Sequence, residues 1–337
     1  MSRSQRRRTT SSWAVLTRLL VAGCAALALL AGGFFQNATV RAQDGSPVAA
    51  ECDAPDLPPG TPTPQMDGSP EAEIDASPAA EPEGDEEDEA TPEGGAPADE
   101  ATTQEAVAAV ENLVNCLNSG DYEGVVALFT ENFLQSEFGT TNPYDAVVGL
   151  EGLTFQDFEI GDVTTYPDGR LAVEVAYLES EYQYVHERWW LVQDGEYWKL
   201  DGCDTLRPEP EGDTAVVGVA LGSPEDEYAL VPNAEAVTQS EVLILHAQNK
   251  GQETHMLAVL KLPEGVTLEQ VMQDPALEDQ VEFIGALDYL EPGQEQDLAL
   301  VDLPPGEYTL ACFFAAPDGK THLEHGMVAT ITVNAPA

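Results

Sequence analysis

Hydrophobic and polar positions change rhythm along the chain. Between Glu105 and Leu117 apolar residues return every three or four positions until Asn118-Ser119-Gly120-Asp121 interrupts them, which predicts an amphipathic helix. A second helix is expected through Phe129 and a third from Pro143 to Leu150. The period then drops to two. Arg170 to Ser180, Tyr182 to Val192 and Glu196 to Asp201 predict strands, and Asp168-Gly169 and Asp194-Gly195 are tight-hairpin signals. Arg207-Pro-Glu-Pro-Glu-Gly-Asp213 reads as a short connector. Beyond it strands are expected at Thr214 to Ala220, Glu227 to Leu230, Glu241 to Asn249, His255 to Leu262, Gln294 to Val301, Gly306 to Phe314 and Met327 to Val333. A helical loop is expected to interrupt them at Thr267 to Gln280. Helices followed by long strands predict an α+β domain over 102–207, and the run of strands predicts an all-β sandwich over 208–337.

The residues ahead of these elements follow other rules. Arg3, Arg6, Arg7, Arg8 and Arg18 precede an apolar run from Leu19 to Phe35, Arg41 follows it, and the first acid is Asp44. With the small Ala42 after Val40-Arg41, residues 1–42 read as an export signal. Arg6-Arg7-Arg8 hints at a twin-arginine signal, but Thr9-Thr10 stand where that signal has apolar residues, which favours general secretion. Val21-Ala22-Gly23-Cys24 resembles a lipobox, although Arg18 lies close upstream and most of the apolar run follows Cys24. An uncleaved anchor is the third possibility. All three place the rest of the chain outside the cytoplasm. Residues 43–101 alternate Pro, Ala, Gly, Thr and acids, without Lys, Arg, Phe, Tyr or Trp, and carry the acidic run from Glu83 to Glu89. Such a stretch cannot bury enough apolar surface to offset the entropy of ordering, so a disordered acidic linker is expected.

Charge narrows the partners. The 337 residues include 13 Lys+Arg against 61 Asp+Glu, a net charge of −48. A surface this negative repels nucleic-acid phosphates and anionic membranes, which leaves membrane contact only through a retained or lipidated N-terminus. Outside the cytoplasm cysteines can oxidise. Cys52, Cys116, Cys203 and Cys312 follow the signal, and four cysteines allow three complete pairings.

Two segments of the helical region carry a family resemblance. Asn118-Ser-Gly-Asp-Tyr-Glu-Gly-Val-Val-Ala-Leu-Phe-Thr-Glu-Asn-Phe133 and Glu187-Arg-Trp-Trp-Leu-Val-Gln-Asp-Gly-Glu-Tyr-Trp-Lys-Leu-Asp-Gly202 resemble the nuclear-transport-factor-two-like superfamily, which includes SnoaL-like and steroid-isomerase-like proteins. That resemblance implies a cone-shaped α+β domain with a pocket for a small apolar ligand, in which some members place an Asp or His as general base. Tyr182, Tyr184, His186, Arg188 and Trp190 share a strand face by alternation. His186 either lines such a pocket or sits near the rim of a half-buried aromatic strand. No carboxylate is placed by sequence to pair with it, so no catalytic residue is assigned. In such a fold the first helix packs on the sheet, which suits a Cys116–Cys203 disulfide, with Cys52 as the competing partner for either.

Four of the five histidines, His246, His255, His322 and His325, fall in the last domain, together with Cys312, Met256 and Met327. Two imidazoles and a thiolate with a weak axial thioether make a blue-copper ligand set, because soft sulfur donors select copper. Along the chain the order His255, Cys312, His322, Met327 fits such a set. Asn249-Lys-Gly-Gln-Glu-Thr-His255-Met-Leu-Ala-Val, Leu303-Pro-Pro-Gly-Glu-Tyr-Thr-Leu-Ala-Cys312 and His322-Leu-Glu-His-Gly-Met327-Val-Ala-Thr-Ile-Thr-Val resemble the ligand-bearing segments of the cupredoxin family. The resemblance implies a Greek-key sandwich with His255, Cys312 and His322 equatorial and Met327 axial to copper, in a non-enzymatic one-electron carrier.

The chain departs from that family in three places. Nine residues separate Cys312 from His322, where compact copper loops have two to four, and Pro317-Asp318-Gly319 reads as an outward turn within them. Met256 follows the early His where the family has an Asn that ties the ligand loops, and Thr254 replaces a common Pro. His325 rivals His322 as second imidazole, whereas His246 sits mid-strand as a structural residue. The leading reading is an exported copper protein that passes electrons to a basic partner. The alternative is a metal-free sandwich serving as a binding or adhesion module beside a ligand-binding cone, with Cys312 buried as a small apolar residue or bonded to Cys52.

Overall fold

The computed structural model describes residues 52–57, 60, 94–150, 152–278 and 280–336; the expected export signal and most of the acidic linker lie outside the described residues. A two-residue strand β1 (Ala96–Pro97) leads into α1 (Glu100–Ser119). This helix starts five residues before the periodic stretch because Asp99 caps it, accepting the Thr102 N–H at 2.9 Å. It stops at Gly120, whose φ of 78° is a left-handed angle that costs glycine little. Ala106, Val110, Leu113, Val114 and Leu117 form its buried stripe. Three short helices follow, α2 (Tyr122–Ala127), α3 (Glu131–Phe138) and α4 (Pro143–Leu150), and then four strands, β2 (Gln156–Thr165), β3 (Leu171–Leu178), β4 (Gln183–Asp194) and β5 (Tyr197–Thr205). The helices bury their apolar faces against Val163, Val173, Val175, Trp189, Leu191 and Leu200 of these strands.

The described start of the acidic segment is tied to the helical half. Cys52 is bonded to Cys116 on α1. One turn earlier on that helix, Asn112 donates to the Asp53 carbonyl and accepts the Asp53 N–H at 3.0 Å, and Ala54 and Leu57 pack on the same core. Cys116 therefore pairs with the competing partner rather than with Cys203. The segment 52–57 brings its own hydrogen bonds to the helix, which sequence spacing does not reveal.

The second half contains β6 (Thr214–Leu221), β7 (Leu230–Pro232), β8 (Ala236–Thr238), β9 (Val242–Asn249), β10 (His255–Lys261), α5 (Leu268–Gln273), α6 (Pro275–Glu278), β11 (Glu282–Leu290), β12 (Glu295–Val301), β13 (Gly306–Ala311) and β14 (Val328–Asn334). It is a β-sandwich. One layer is β12-β9-β6-β7 and the other β11-β10-β13-β14-β8, with most neighbours antiparallel and the β6–β9 and β8–β14 pairs parallel. Val217, Leu245 and Leu298 from one layer meet Leu257, Ile284, Leu310 and Ile331 from the other in a dry core. The first layer also continues into the helical half. The start of β4 pairs with β12, Tyr184 opposite Ala299 and Gln183 opposite Leu300, so nine strands form one sheet in the order β1-β2-β3-β4-β12-β9-β6-β7, with β5 also on β4. The buried Gln183 amide reinforces the join, donating to the Ala286 carbonyl at 3.2 Å and accepting the Ala286 N–H at 2.9 Å. Among the described residues no helix is long and apolar enough to cross a membrane.

Candidate metal centre

Three segments that are distant in sequence meet at one end of the sandwich. His255 opens β10. Cys312 directly follows β13, a strand pinned by the fully buried Tyr308, whose hydroxyl donates to the Pro304 carbonyl at 2.6 Å. His322 returns after the long excursion, which is a miniature hairpin. Ala315 pairs with Thr321, the Ala316 N–H donates to the Lys320 carbonyl at 2.7 Å, and Gly319 turns the chain at φ 82°. The His322 N–H then donates to the Phe314 carbonyl at 2.8 Å. The seven residues between those two fold outward, so His322 re-enters almost where a compact loop would deliver it. Next the Met327 N–H donates to the His322 carbonyl at 2.9 Å and the Cys312 N–H to the Met327 carbonyl at 3.2 Å, which ties Cys312, His322 and Met327 into one backbone knot.

The side chains converge accordingly. His255 Nδ1 and His322 Nδ1 are 2.9 Å apart, and Cys312 Sγ lies 3.4 Å from the latter and 3.9 Å from the former. All three ligand atoms fall within 4.8 Å of one another. His255, Cys312, His322 and Met327 are completely buried. His325 is not in the group; it bonds Asp318 at 3.1 Å and stacks on Tyr228 with ring centroids 4.2 Å apart. His246 lies on a partly exposed strand face and bonds Asp297 at 2.7 Å.

The outer nitrogens of the two buried imidazoles meet carboxylates. His255 Nε2 is 3.1 Å from Glu227 Oε1 and His322 Nε2 is 3.0 Å from Glu253 Oε2. Burial, and for His255 also the neighbouring His322, disfavours imidazolium, pushing His255 down to about 4 and lowering His322 as well. Both rings are therefore neutral near pH 7. An ionised carboxylate only accepts, so each Nε2 carries the proton and each Nδ1 presents a lone pair to the centre. Two lone pairs at 2.9 Å beside a sulfur repel unless a cation sits between them. A trigonal centre with metal–nitrogen bonds of about 2.0 Å and a metal–sulfur bond of about 2.3 Å sets donor separations of about 3.5 to 3.8 Å, so the two nitrogens would part by about 0.6 Å and the sulfur distances would change by less. The donor set fits a soft or borderline transition metal.

Second contacts hold the loops. Cys312 is free and buried; burial pushes its thiol up to about 11, against the pull of the Met256 N–H, 3.4 Å from Sγ. Where the sequence suggests a missing tie at Met256, the backbone of that residue supplies one. Asn249, fully buried, donates to the Glu253 and Leu290 carbonyls at 2.8 and 2.7 Å and accepts the Gly251 N–H. Gly222, at φ 67°, passes so close to the site that a Cβ there would stand 2.9 Å from His255 Nε2. Glu227, Glu253 and Asn249 surround the candidate centre, and motif reading assigns them no part in it. Glu227 lies in a turn far upstream, and nothing in its spacing points to His255.

In the helical half the strand face of Tyr184, His186, Arg188 and Trp190 turns away from the helices: His186 bonds the Arg207 carbonyl at 2.8 Å, and Trp190 packs on Tyr166 and Ala172. His186 is not among the residues that line the interior cavity of this half. Alternation instead directs its neighbour Glu187 into the helix–sheet core, where Tyr177 Oη and Trp189 Nε1 donate to its carboxylate at 3.0 and 2.8 Å. Desolvation raises Glu187 to about 7 in spite of those two donors. The interior beside it, lined by Leu113, Phe129, Phe133, Phe155 and Trp189, leaves a cavity of about 20 Å³, enough for about one water molecule.

No protein-family model matches the chain, and no curated protein matches it. Solved structures similar to part of it include auracyanins and a plastocyanin. Reduced auracyanin from Roseiflexus castenholzii shares 18% identity over 36% of this chain and 95% of its own, with a TM-score of 0.25. Auracyanin A, a blue copper protein from Chloroflexus aurantiacus, shares 13% over 36% of this chain and 100% of its own, with a TM-score of 0.25. Oxidised plastocyanin from Dryopteris crassirhizoma shares 22% over 35% and 99%, with a TM-score of 0.22. At such values the chemistry rests on the chain's own geometry.

Proposed function

We propose that the chain is an exported, cupredoxin-like copper protein that carries single electrons. The observation that carries this reading is the buried His255–Cys312–His322 cluster, with both Nδ1 lone pairs and a free thiol facing one point. Sulfur and imidazole donors together favour copper over harder ions, and Met327, in the same backbone knot, would offer a thioether as a further donor. Copper held there exchanges one electron between its cupric and cuprous states. The residues around it exclude water and hold the donors in place, so little rearranges when the charge changes. The Cys52–Cys116 disulfide supports an oxidising, extracytoplasmic setting. The large acidic excess favours a basic redox partner whose association weakens with salt. The cone-domain reading of the helical half rests on its helices-then-strands order and keeps a small apolar ligand as its proposed occupant, provided the closed interior opens.

The test is a copper titration of the chain with its visible spectrum. An intense thiolate-to-copper band that disappears in Cys312→Ser is the expected result. Absence of any band in the unaltered protein, with Cys312 still a free thiol, would sink the reading in favour of a metal-free binding module. Acidity supplies a second check. The folded thiol, held near 11, is protonated at neutral pH and must lose that proton to become a ligand, while both imidazoles are already neutral. Copper affinity is therefore expected to rise about tenfold per pH unit between about pH 7 and 9, one proton being released per copper bound. A pH-independent affinity across that window would mean that the thiol is not a ligand.

A further inference from the structure

Both imidazoles of the cluster are wholly buried, and each has its outer nitrogen covered by a glutamate. The two glutamates are themselves held. Glu227 accepts the Gln252 N–H at 2.8 and 2.9 Å on its two oxygens and the Glu253 N–H at 2.8 Å. Its side chain is 18% exposed. Glu253 is fixed through its carbonyl, which takes the buried Asn249 amide at 2.8 Å. Among the described residues neither carboxylate pairs with a lysine or arginine. Two carboxylates thus stand one imidazole ring away from the donor atoms.

Resting on the copper reading above, we propose that Glu227 and Glu253 are positioning residues that aim both Nδ1 donors at the metal and bias the site toward cupric copper. The geometric part follows from the hydrogen bonds. A carboxylate on Nε2–H selects the tautomer with a free Nδ1 and fixes the ring plane, which raises the basicity of the donor nitrogen. The electrostatic part follows from a charge count. With Cys312 as thiolate and two carboxylates, three negative charges surround the metal. Two positive charges on copper are compensated better there than one, and the screening that weakens surface charges is reduced in a buried site. Gain of one electron by copper is thereby disfavoured, and its loss to a one-electron acceptor is favoured. The centre is a reductant by design of its outer layer, set by residues that never touch the metal.

The experiment uses the full chain and its Glu227→Gln and Glu253→Gln variants, each loaded with copper. Glutamine keeps an acceptor for Nε2–H and removes only the charge. Cupric affinity is measured against a competing chelator, cuprous affinity against a copper(I) chelator, and the reduction potential by equilibration with redox dyes. Each variant is expected to lose about 10- to 100-fold in cupric affinity, with a smaller loss for cuprous copper, so that its potential rises while the thiolate band persists. Glu131→Gln, which removes an equal charge from the first turn of α3, is the control and should leave the potential where it was. Unchanged potentials and unchanged cupric-to-cuprous affinity ratios in both variants, with the wild-type band present, would overturn the inference and leave the copper reading intact. A wild-type protein without the band would remove both together. If Glu227→Gln loosens the 251–253 loop, visible as a lower melting temperature without copper, Glu253→Gln decides alone.

Discussion

Replacing Cys52 and Cys116 together with alanine is expected to lower the free energy of unfolding by about 4 kcal/mol. The bond spans 64 positions, and in the chain-entropy account its main action is on the unfolded chain, where it removes the freedom of a long and otherwise poorly constrained loop. Most of that loop is the acidic, Pro-rich stretch whose composition favours expansion. In the folded protein the bond holds 52–57 against α1, where Asn112 and the core beneath Ala54 and Leu57 receive it. The double substitution leaves no half-pair to exchange with another cysteine. Urea unfolding, followed by tryptophan fluorescence at neutral pH, measures the effect. A loss below about 1 kcal/mol would mean that the unfolded chain is already compact around this loop. The copper band should survive, because Cys312 takes no part in the bond.

The second large effect belongs to Glu187. Its carboxyl is raised to about 7 in the folded protein by burial, whereas a solvated glutamate titrates at 4.5. The sign follows directly. Between those two values the folded state holds a proton that the unfolded state has lost, so stability is fully present below about pH 4 and is lost as pH rises toward 7. The total is about 3 kcal/mol, reached once both states are ionised. Glu187→Gln keeps an acceptor for Tyr177 and Trp189 but cannot ionise. The difference in unfolding free energy between variant and wild type should therefore shift by about 3 kcal/mol in the variant's favour from pH 4 to pH 8. A constant difference across that range would show that Glu187 titrates at its ordinary value. His255 works in the opposite direction in the copper-free protein. Depressed to about 4, it adds stability above about pH 6.5 that is lost as pH falls toward 4. The wild type thus conceals two opposing titrations, and Glu187→Gln exposes the histidine one.

Much of this architecture is legible in the residues, and the gaps have physical reasons. Period-two stretches such as Leu171–Leu178 and Val242–Asn249 are half buried or sandwiched and read clearly. Strands β2 and β11 escape because their pairings carry register shifts, which break the alternation that marks a strand. The three-residue strand β8 is too short to show any period. At the metal centre, the donor residues announce themselves by type and order, and the outward turn at Pro317-Asp318-Gly319 explains how a long interval still returns His322. Telling His322 from His325 needs the structure, since both lie within five residues of Met327. The same holds for Glu227, Glu253 and Asn249. They act on atoms brought near only by tertiary folding, from a composition in which acidic residues are too common to stand out.

The join between β4 and β12 has a consequence for how the molecule comes apart. A chain cut within Arg207–Asp213 would leave β12 with bare N–H and C=O groups opposite the former Tyr184 and Gln183, and would strip the Ala286 backbone of both its amide contacts. Each fragment would carry a raw sheet margin of the kind that recruits a second copy or seeds aggregates. The sandwich half and its helical neighbour are accordingly expected to melt as one unit. Loosening the helical half should reach the candidate metal centre through shared strands, well before it reaches it through the connector.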